Sequence, residues 1–238
     1  RLAEIFETAL ELADENNVVA KHSLEGVAAR EADVFTTVSQ ITADEAALLH
    51  ERRPDPLLPN GIDLDVIDEL VGDVPRSTVR GELFDLAARF LGESVDDATL
   101  LCVSGRYEFH NKGIDLLLDA LAQLEARGDD KRVVLWVLVP AGNSGISSDV
   151  LERREAESVA DLDGPVGIST HNLFDAESDP VHEHCARLGL ANARGSRVKV
   201  IQVPIYLSEH DGFLNRSYEA VLRAMDLTCF PSYYEPWG

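Results

Sequence analysis

Apolar and polar positions follow two registers along the chain, and the switching between them marks an α/β protein. Four short runs are apolar at nearly every position: Thr99 to Ser104, Val133 to Val139, Val198 to Val203, and Leu227 to Phe230. Strands of continuous apolar character are buried on both faces, so these runs predict a parallel sheet with helices on either side. Between them the apolar residues recur at helical spacing. Ile114, Leu117, Leu118, Leu121 and Leu124 form one stripe and predict a helix from Ile114 to Arg127. Others are predicted around Val150 to Val159, around Val181 to Leu188, and from Asn215 to Met225, the last with Leu214, Tyr218, Val221, Leu222 and Met225 facing inward. The interval from Ala141 to Ser196 is long for a connection between neighbouring strands, and its Gly142, Gly145, Gly164 and Gly167 suggest an exposed insertion with helices of its own.

The earlier part of the chain is more helical. Leu2, Ile5, Phe6, Ala9 and Ala13 share a face of a first helix, and Leu24, Val27 and Ala28 predict a second that ends near Arg30. Val34 to Ser39 reads as a strand. Thr42 and Glu45 have capping-box spacing behind Ile41, which predicts a third helix with Ala46 and Leu49 turned inward and Pro54 and Pro56 beyond its end. Pro59-Asn60-Gly61 is a turn signature. From Asp63 to Asp97 the chain is acidic and predicted helical, with Leu83, Ala87, Phe90 and Leu91 as its best periodic face, so residues 63–97 are expected to connect two lobes.

Charge narrows the partners. The 238 residues carry a formal net charge of −22, and lysine occurs only at Lys21, Lys112, Lys131 and Lys199. Such a chain lacks the broad basic face that phosphate neutralisation requires, which argues against nucleic acid. It also repels anions at long range, so any phosphate site must be local. The acidic, lysine-poor composition suggests a salt-adapted source. Cys102, Cys185 and Cys229 are odd in number and lack paired spacing, as expected of small core residues in a reducing compartment. No apolar run approaches the roughly 20 residues of a membrane helix, and no signal peptide is visible. A cytoplasmic protein without a membrane partner is expected. The chain opens on Arg1 and ends at Gly238, just after a strand-like run where a helix would normally follow, and is therefore expected to be a fragment.

Candidate chemistry concentrates between Ser104 and Gly113, Ser-Gly-Arg-Tyr-Glu-Phe-His-Asn-Lys-Gly. This loop joins a predicted strand to a predicted helix, which in an open α/β sheet is where ligands bind and where a helix N-terminus attracts anions. Arg106 and Lys112 suit a diphosphate there; read singly they could equally be solvated loop charges. Tyr206 follows one strand and Tyr218 opens a helix at the same sheet edge. Either they pack structurally, or their faces sandwich a base. Glu235 follows the last strand directly, where a carboxylate could orient sugar hydroxyls or stabilise positive charge at a sugar carbon. Dinucleotide G-x-G-x-x-G, P-loop and G-x-S-x-G motifs are absent. His182-Glu-His-Cys185 and the pairs Asp63/Asp65 and Asp161/Asp163 contain metal-ligand types, but their composition and helical spacing favour ordinary surface and core roles, and no metal is expected.

These stretches together resemble the animal and fungal type of glycogen synthase. The likeness is carried by Ala32 to Ala43, Arg53-Pro-Asp55 with Pro59-Asn-Gly61, Gly105 to Phe109 with Asn111-Lys-Gly113, Thr170-His-Asn172, Arg197 to Ile201, and Pro231 to Gly238. The resemblance implies a GT-B architecture of two Rossmann-like lobes. Residues 1–62 would be the C-terminal part of the first, 63–97 the interlobe connection, and 98–238 a truncated nucleotide-sugar-binding lobe. It implies transfer of glucose from UDP-glucose to the non-reducing end of an α-1,4-glucan, with retention and with neither cofactor nor required metal; homo-oligomers are possible. On that likeness Arg106 and Lys112 hold the donor diphosphate, Tyr206 and Tyr218 stack on uracil, and Glu235 is the first carboxylate of a Glu-x7-Glu motif. Trp237 and Gly238 belong to the loop around the donor glucose and phosphate.

Two departures follow from the same comparison. The second motif glutamate would lie past Gly238. Gly26 stands where the family has a basic residue after the match to Glu25, leaving Lys21 or His22 to contribute to the donor site. The chain alone is therefore expected to be inactive. Other readings are a GT-B glucosyltransferase using another donor, or a non-catalytic glucan- or nucleotide-binding relative.

Overall fold

The computed structural model describes residues 9–128 and 130–236. It is an α/β protein whose described residues fall into two compact units, one running to Asp63 and including Glu235 and Pro236, the other Leu64–Tyr234.

The first unit holds α1 (Ala9–Glu15), α2 (Val19–Glu31) and α3 (Gln40–Leu49). Its buried apolar residues, Ala13, Ala29, Ala43 and Ala46, are small. That explains why the predicted inward face of α2 is not the buried one: Gly26 and Ala29 are buried while Leu24 and Val27 are exposed. The stretch Val34 to Ser39, expected as a strand, is reduced to a bridge between Thr37 and Leu57. A ladder needs N–H donors from both segments, and Pro54 and Pro56 in the facing segment have none to give. The helix cap also differs from expectation. Ser39 adopts extended geometry and its hydroxyl accepts from the Thr42 N–H, while Thr42 Oγ1 accepts from the Ser39 N–H at 3.1 Å. Thr42 therefore closes the box rather than opening it, α3 starts at Gln40, and Leu49 is exposed although Ala46 is buried as expected. Arg52 Nη1 donates to the carbonyls of Ala29 at 2.7 Å and Ala32 at 2.6 Å, satisfying acceptors that the end of α2 leaves open. Leu2, Ile5 and Phe6 lie outside the described residues.

The second unit opens with α4 (Leu64–Val71) and α5 (Arg76–Leu91) and continues through β1 (Thr99–Ser104), α6 (Ile114–Arg127), β2 (Val133–Leu138), β3 (Asn143–Ile146), α7 (Ser148–Arg154), β4 (His171–Leu173), α8 (Pro180–Leu188), β5 (Val198–Gln202), α9 (Tyr218–Ala224) and β6 (Leu227–Thr228). Strands β5, β2, β1 and β6 lie side by side in that order, and each neighbouring pair is parallel. The register runs Thr99 to Val133 and Val133 to Val198. Both faces are covered. On one, Leu100, Cys102, Val134, Trp136 and Ile201 pack with Leu83 and Phe90 of α5 and Val221 of α9. On the other, Val103, Leu135, Val137 and Val200 pack with Ile114 and Leu118 of α6 and Val181 and Cys185 of α8. Residues between Asp63 and Asp97 thus include a core-forming helix, with Leu83, Ala87, Phe90 and Leu91 all buried. The interval after Ala141 is likewise not a wholly exposed insertion, because α8 inside it supplies core side chains; the short antiparallel pair β3 and β4 is its peripheral part. No helix among the described residues is long and apolar enough to cross a membrane.

Candidate functional site

A cavity of about 460 Å³ opens at the carboxyl ends of β1 and β2. Ser104 lines it from the end of β1 and Gly105 and Arg106 from the loop after it, Leu138 from the end of β2 and Pro140 from the loop after it, Ile205, Tyr206 and Leu207 from the segment after β5, and Tyr218 from the start of α9. Its size suits a small ligand, and its walls are mainly apolar with a few polar groups among them. Convergence follows from topology, since parallel strands deliver all their following loops to one edge.

The loop has a defined internal geometry. Arg106 is largely exposed, and its Nη1 lies 3.1 Å from Glu108 Oε1. Asn111 Nδ2 donates to the other carboxylate oxygen of Glu108 at 2.7 Å. Lys112 is oriented back along the loop, so that a side chain at Gly105 would first meet the Lys112 Cε at 3.8 Å. Arg106 therefore lines the cavity itself, while the Lys112 stem runs beside Gly105 of that lining.

The two tyrosines differ. Tyr218 is partly buried, and its hydroxyl lies 2.6 Å from Ser104 Oγ; burial pushes its pKa up, so it stays a neutral phenol. Tyr206 is 83% exposed, leaving its ring available to a ligand face. Tyr107, between Arg106 and Glu108 in sequence, turns away: it packs against the α6 and α8 side of the core and donates to Asp179 Oδ2 at 2.7 Å. Side chains that alternate along an irregular loop cannot all face one ligand.

Beyond β6 the chain is fastened onto this loop. The Tyr233 N–H donates to the Asn111 carbonyl at 2.9 Å, and the rings of His110 and Tyr233 lie 4.4 Å apart. Gly113, at φ +65°, sits so close to Pro231 that an added Cβ would stand 2.1 Å from its carbonyl oxygen. Left-handed backbone costs an L-residue about 1–2 kcal/mol, and the overlap adds to that. We expect Gly113→Ala to lower stability by roughly 2 kcal/mol, read as a melting temperature about 4–8 °C lower. An unchanged melting temperature would show that the contact yields without cost.

The other sequence candidates lie elsewhere. His22 belongs to the first unit, where its ring stacks on His50 at 5.8 Å. Burial lowers the His50 pKa. Gly26 is covered by Arg30, whose Nη1 would lie 3.2 Å from a Cβ at position 26. Glu235 also groups with the first unit, two residues after Tyr233. Trp237 and Gly238 lie outside the described residues. Of the metal-type residues, His184 bonds Asp119 Oδ1 at 2.8 Å and Cys185 is a core side chain. Sequence reasoning missed Ser104 as partner of Tyr218, although its place at the end of β1 signals it. It also missed Asn111 as an anchor for Tyr233; a backbone carbonyl contact leaves no trace in residue type.

The family described as Glycogen synthase matches residues 4–163 and 150–238. Among curated proteins the chain is similar to "Glycogen [starch] synthase isoform 1" of Saccharomyces cerevisiae, at 29% identity over 95% of this chain and 41% of that protein. It is similar at 28% identity to "Glycogen [starch] synthase, liver" of Mus musculus, and at 29% to that of Homo sapiens, in both cases over 95% of this chain and 40% of the relative. The chain thus spans about two fifths of the length of these curated relatives. The family match extends over nearly all its residues, including the loop and cavity just described, and the chain belongs to the glycogen synthase family.

Proposed function

We propose that this chain carries the donor-binding part of a retaining glucosyltransferase that moves glucose from UDP-glucose to the non-reducing end of an α-1,4-glucan. The observation that carries the reading is the shared cavity: Arg106, Tyr206 and Tyr218 line it together, with the Lys112 stem beside Gly105 of the same lining. In this reading uracil lies against the exposed Tyr206 ring, with Tyr218 as the second face. The diphosphate reaches Arg106 and Lys112. Departure of UDP builds negative charge on that diphosphate, and cations already in place hold it more strongly as the bond breaks. The sugar carbon turns oxocarbenium-like, and Glu235 is assigned to stabilise it. Residues 1–62 are read as the end of the acceptor-side lobe, 63–97 as the connection and 98–238 as the donor lobe.

Two measurements test the reading. The complete protein is expected to incorporate radiolabelled glucose from UDP-glucose into glycogen, and no incorporation would count against the assignment. The 238-residue chain is expected to bind UDP in calorimetric titration, and Tyr206→Ala to weaken that binding by about 1–3 kcal/mol, the usual worth of one base-stacking aromatic. Absence of saturable UDP binding would remove the nucleotide assignment of the cavity.

A further inference from the structure

Strand β1 places Leu100, Cys102 and Ser104 at alternate positions, hence on one face of the sheet. Leu100 and Cys102 belong there to the apolar core that Leu83, Phe90 and Val221 complete. Ser104 ends the row with a hydroxyl although it is only 5% exposed, and it does so where β1 meets the cavity. A buried hydroxyl finds partners or carries a desolvation cost. Alanine fills the same place without that demand, so packing alone does not require the oxygen.

Its partner is Tyr218, whose hydroxyl lies 2.6 Å from Ser104 Oγ. Among the described residues, each of these hydroxyls has the other as its hydrogen-bond partner and no second one. Tyr218 is held at both ends: its backbone starts α9, where Ala220, Val221 and Ala224 are buried, and its ring reaches back to the end of β1. A hydroxyl carries one proton and two lone pairs, so a pair that shares one bond has one O–H left over. The phenol is the stronger acid and the better donor, and burial keeps it neutral. Tyr218 therefore donates to Ser104, and the O–H left over belongs to Ser104. The wall around it, Leu138, Pro140, Ile205 and Leu207, has no acceptor in its side chains.

We propose that Ser104 is a specificity-determining residue of the cavity: with its oxygen engaged by Tyr218, it turns its proton on an acceptor oxygen of the nucleoside. The nucleoside is the target because Tyr218 and the apolar side chains beside it form the part of the cavity assigned to the base, whereas the diphosphate is assigned to Arg106 and Lys112. Donation by Tyr218 polarises the Ser104 hydroxyl and strengthens it as a donor, as bonds in a chain reinforce one another. A ligand that sets only C–H or N–H groups at this point leaves the Ser104 proton buried and unpaired, so the site selects for an oxygen there. The inference deepens the proposed function and rests on it for the ligand, while the direction of the bond from Tyr218 to Ser104 stands independently of it.

The test has two arms. In ultraviolet resonance Raman spectra the tyrosine doublet reports whether a phenol donates or accepts, and the difference between wild type and Tyr218→Phe isolates Tyr218. Without UDP that difference is expected to show a donating phenol, and the same difference taken in the Ser104→Ala background a phenol that no longer donates. An accepting Tyr218 in the wild type overturns the spare Ser104 proton. In calorimetric titration of the 238-residue chain, Ser104→Ala is expected to weaken UDP and, measured by displacement, uridine by the same factor, roughly 10-fold. Tyr218→Phe, which keeps an aromatic wall and the Ser104 hydroxyl but not its orienting bond, is expected to cost about 2- to 3-fold. A loss confined to UDP moves the contact to the diphosphate and overturns the nucleoside assignment. Unchanged affinity in Ser104→Ala, whatever its melting temperature, makes the hydroxyl structural and overturns the proposal, as does a larger loss in Tyr218→Phe than in Ser104→Ala. A wild-type chain that binds neither ligand sinks the nucleotide reading of the cavity and the ligand contact with it, and the Raman arm still decides the direction of the bond.

Discussion

Replacing Arg106 or Lys112 by alanine in the complete protein is expected to lower kcat/KM by roughly 30- to 1,000-fold each, equivalent to about 2–4 kcal/mol of transition-state stabilisation. The expectation rests on geometry and on charge background. Both residues belong to one loop at the carboxyl edge of the sheet, with Arg106 lining the cavity and the Lys112 stem against Gly105. In a chain of net charge −22 the long-range field opposes an incoming diphosphate, so local groups, the two cations foremost, must offset it. Arg106 already sits opposite a carboxylate, that of Glu108, which marks where an anionic oxygen can be received. The Arg106 side chain is 77% exposed, so its removal is expected to leave the melting temperature unchanged, separating a chemical role from a structural one. Arg106→Lys is expected to recover little, because a point charge does not reproduce the planar fork. Unchanged turnover in both alanine variants would remove the assignment.

The parts of this arrangement visible in the sequence are those whose signal is local. The strands at 99–104, 133–138 and 198–202 announce themselves because burial on both faces requires apolar residues throughout. The helix Ile114–Arg127 has the expected ends, since a strong stripe meets glycines at positions 113 and 128, both with left-handed backbone. Residues read one by one for their type and place at a sheet edge, Arg106, Tyr206 and Tyr218, are found around one cavity. What was illegible depends on partners distant in sequence. Val34 to Ser39 has strand composition, but a strand also requires a neighbour, and the one it meets is interrupted by proline. Leu24 and Val27 have helical spacing, yet the close approach made possible by Gly26 and Ala29 decides which face is buried. The grip on residues 231–233 runs mostly through backbone atoms, and composition says nothing about those.

A buried charge makes the largest stability prediction. Strand β5 reads Val-Lys-Val-Ile-Gln, and Lys199 within it is only 1% exposed. Its ammonium donates to Glu93 Oε1 and to the Ala193 carbonyl, the latter at 2.6 Å. Glu93 follows the end of α5, and its carboxylate also lies 3.6 Å from Arg132 Nη2 and accepts from the Gly195 N–H at 3.3 Å. The two partners are therefore unequal. Removing the carboxylate leaves an ammonium enclosed with one strong carbonyl acceptor, whereas removing the ammonium leaves a partly exposed carboxylate that still has Arg132. Breaking a buried pair by deleting one charge costs about 3–5 kcal/mol, while exchanging the pair for apolar groups is often close to neutral. We expect Glu93→Ala to lose about 3–5 kcal/mol, Lys199→Met distinctly less, and the double variant Glu93→Ala/Lys199→Met to recover most of what the first loses. Urea unfolding followed through Trp136, which is fully buried in the adjacent strand and paired in register with Ile201, reads the loss where it occurs. A double variant as unstable as Glu93→Ala alone would mean that lost packing around residue 93, not an unpaired ammonium, governs the cost, and the electrostatic account of this corner of the sheet would fall.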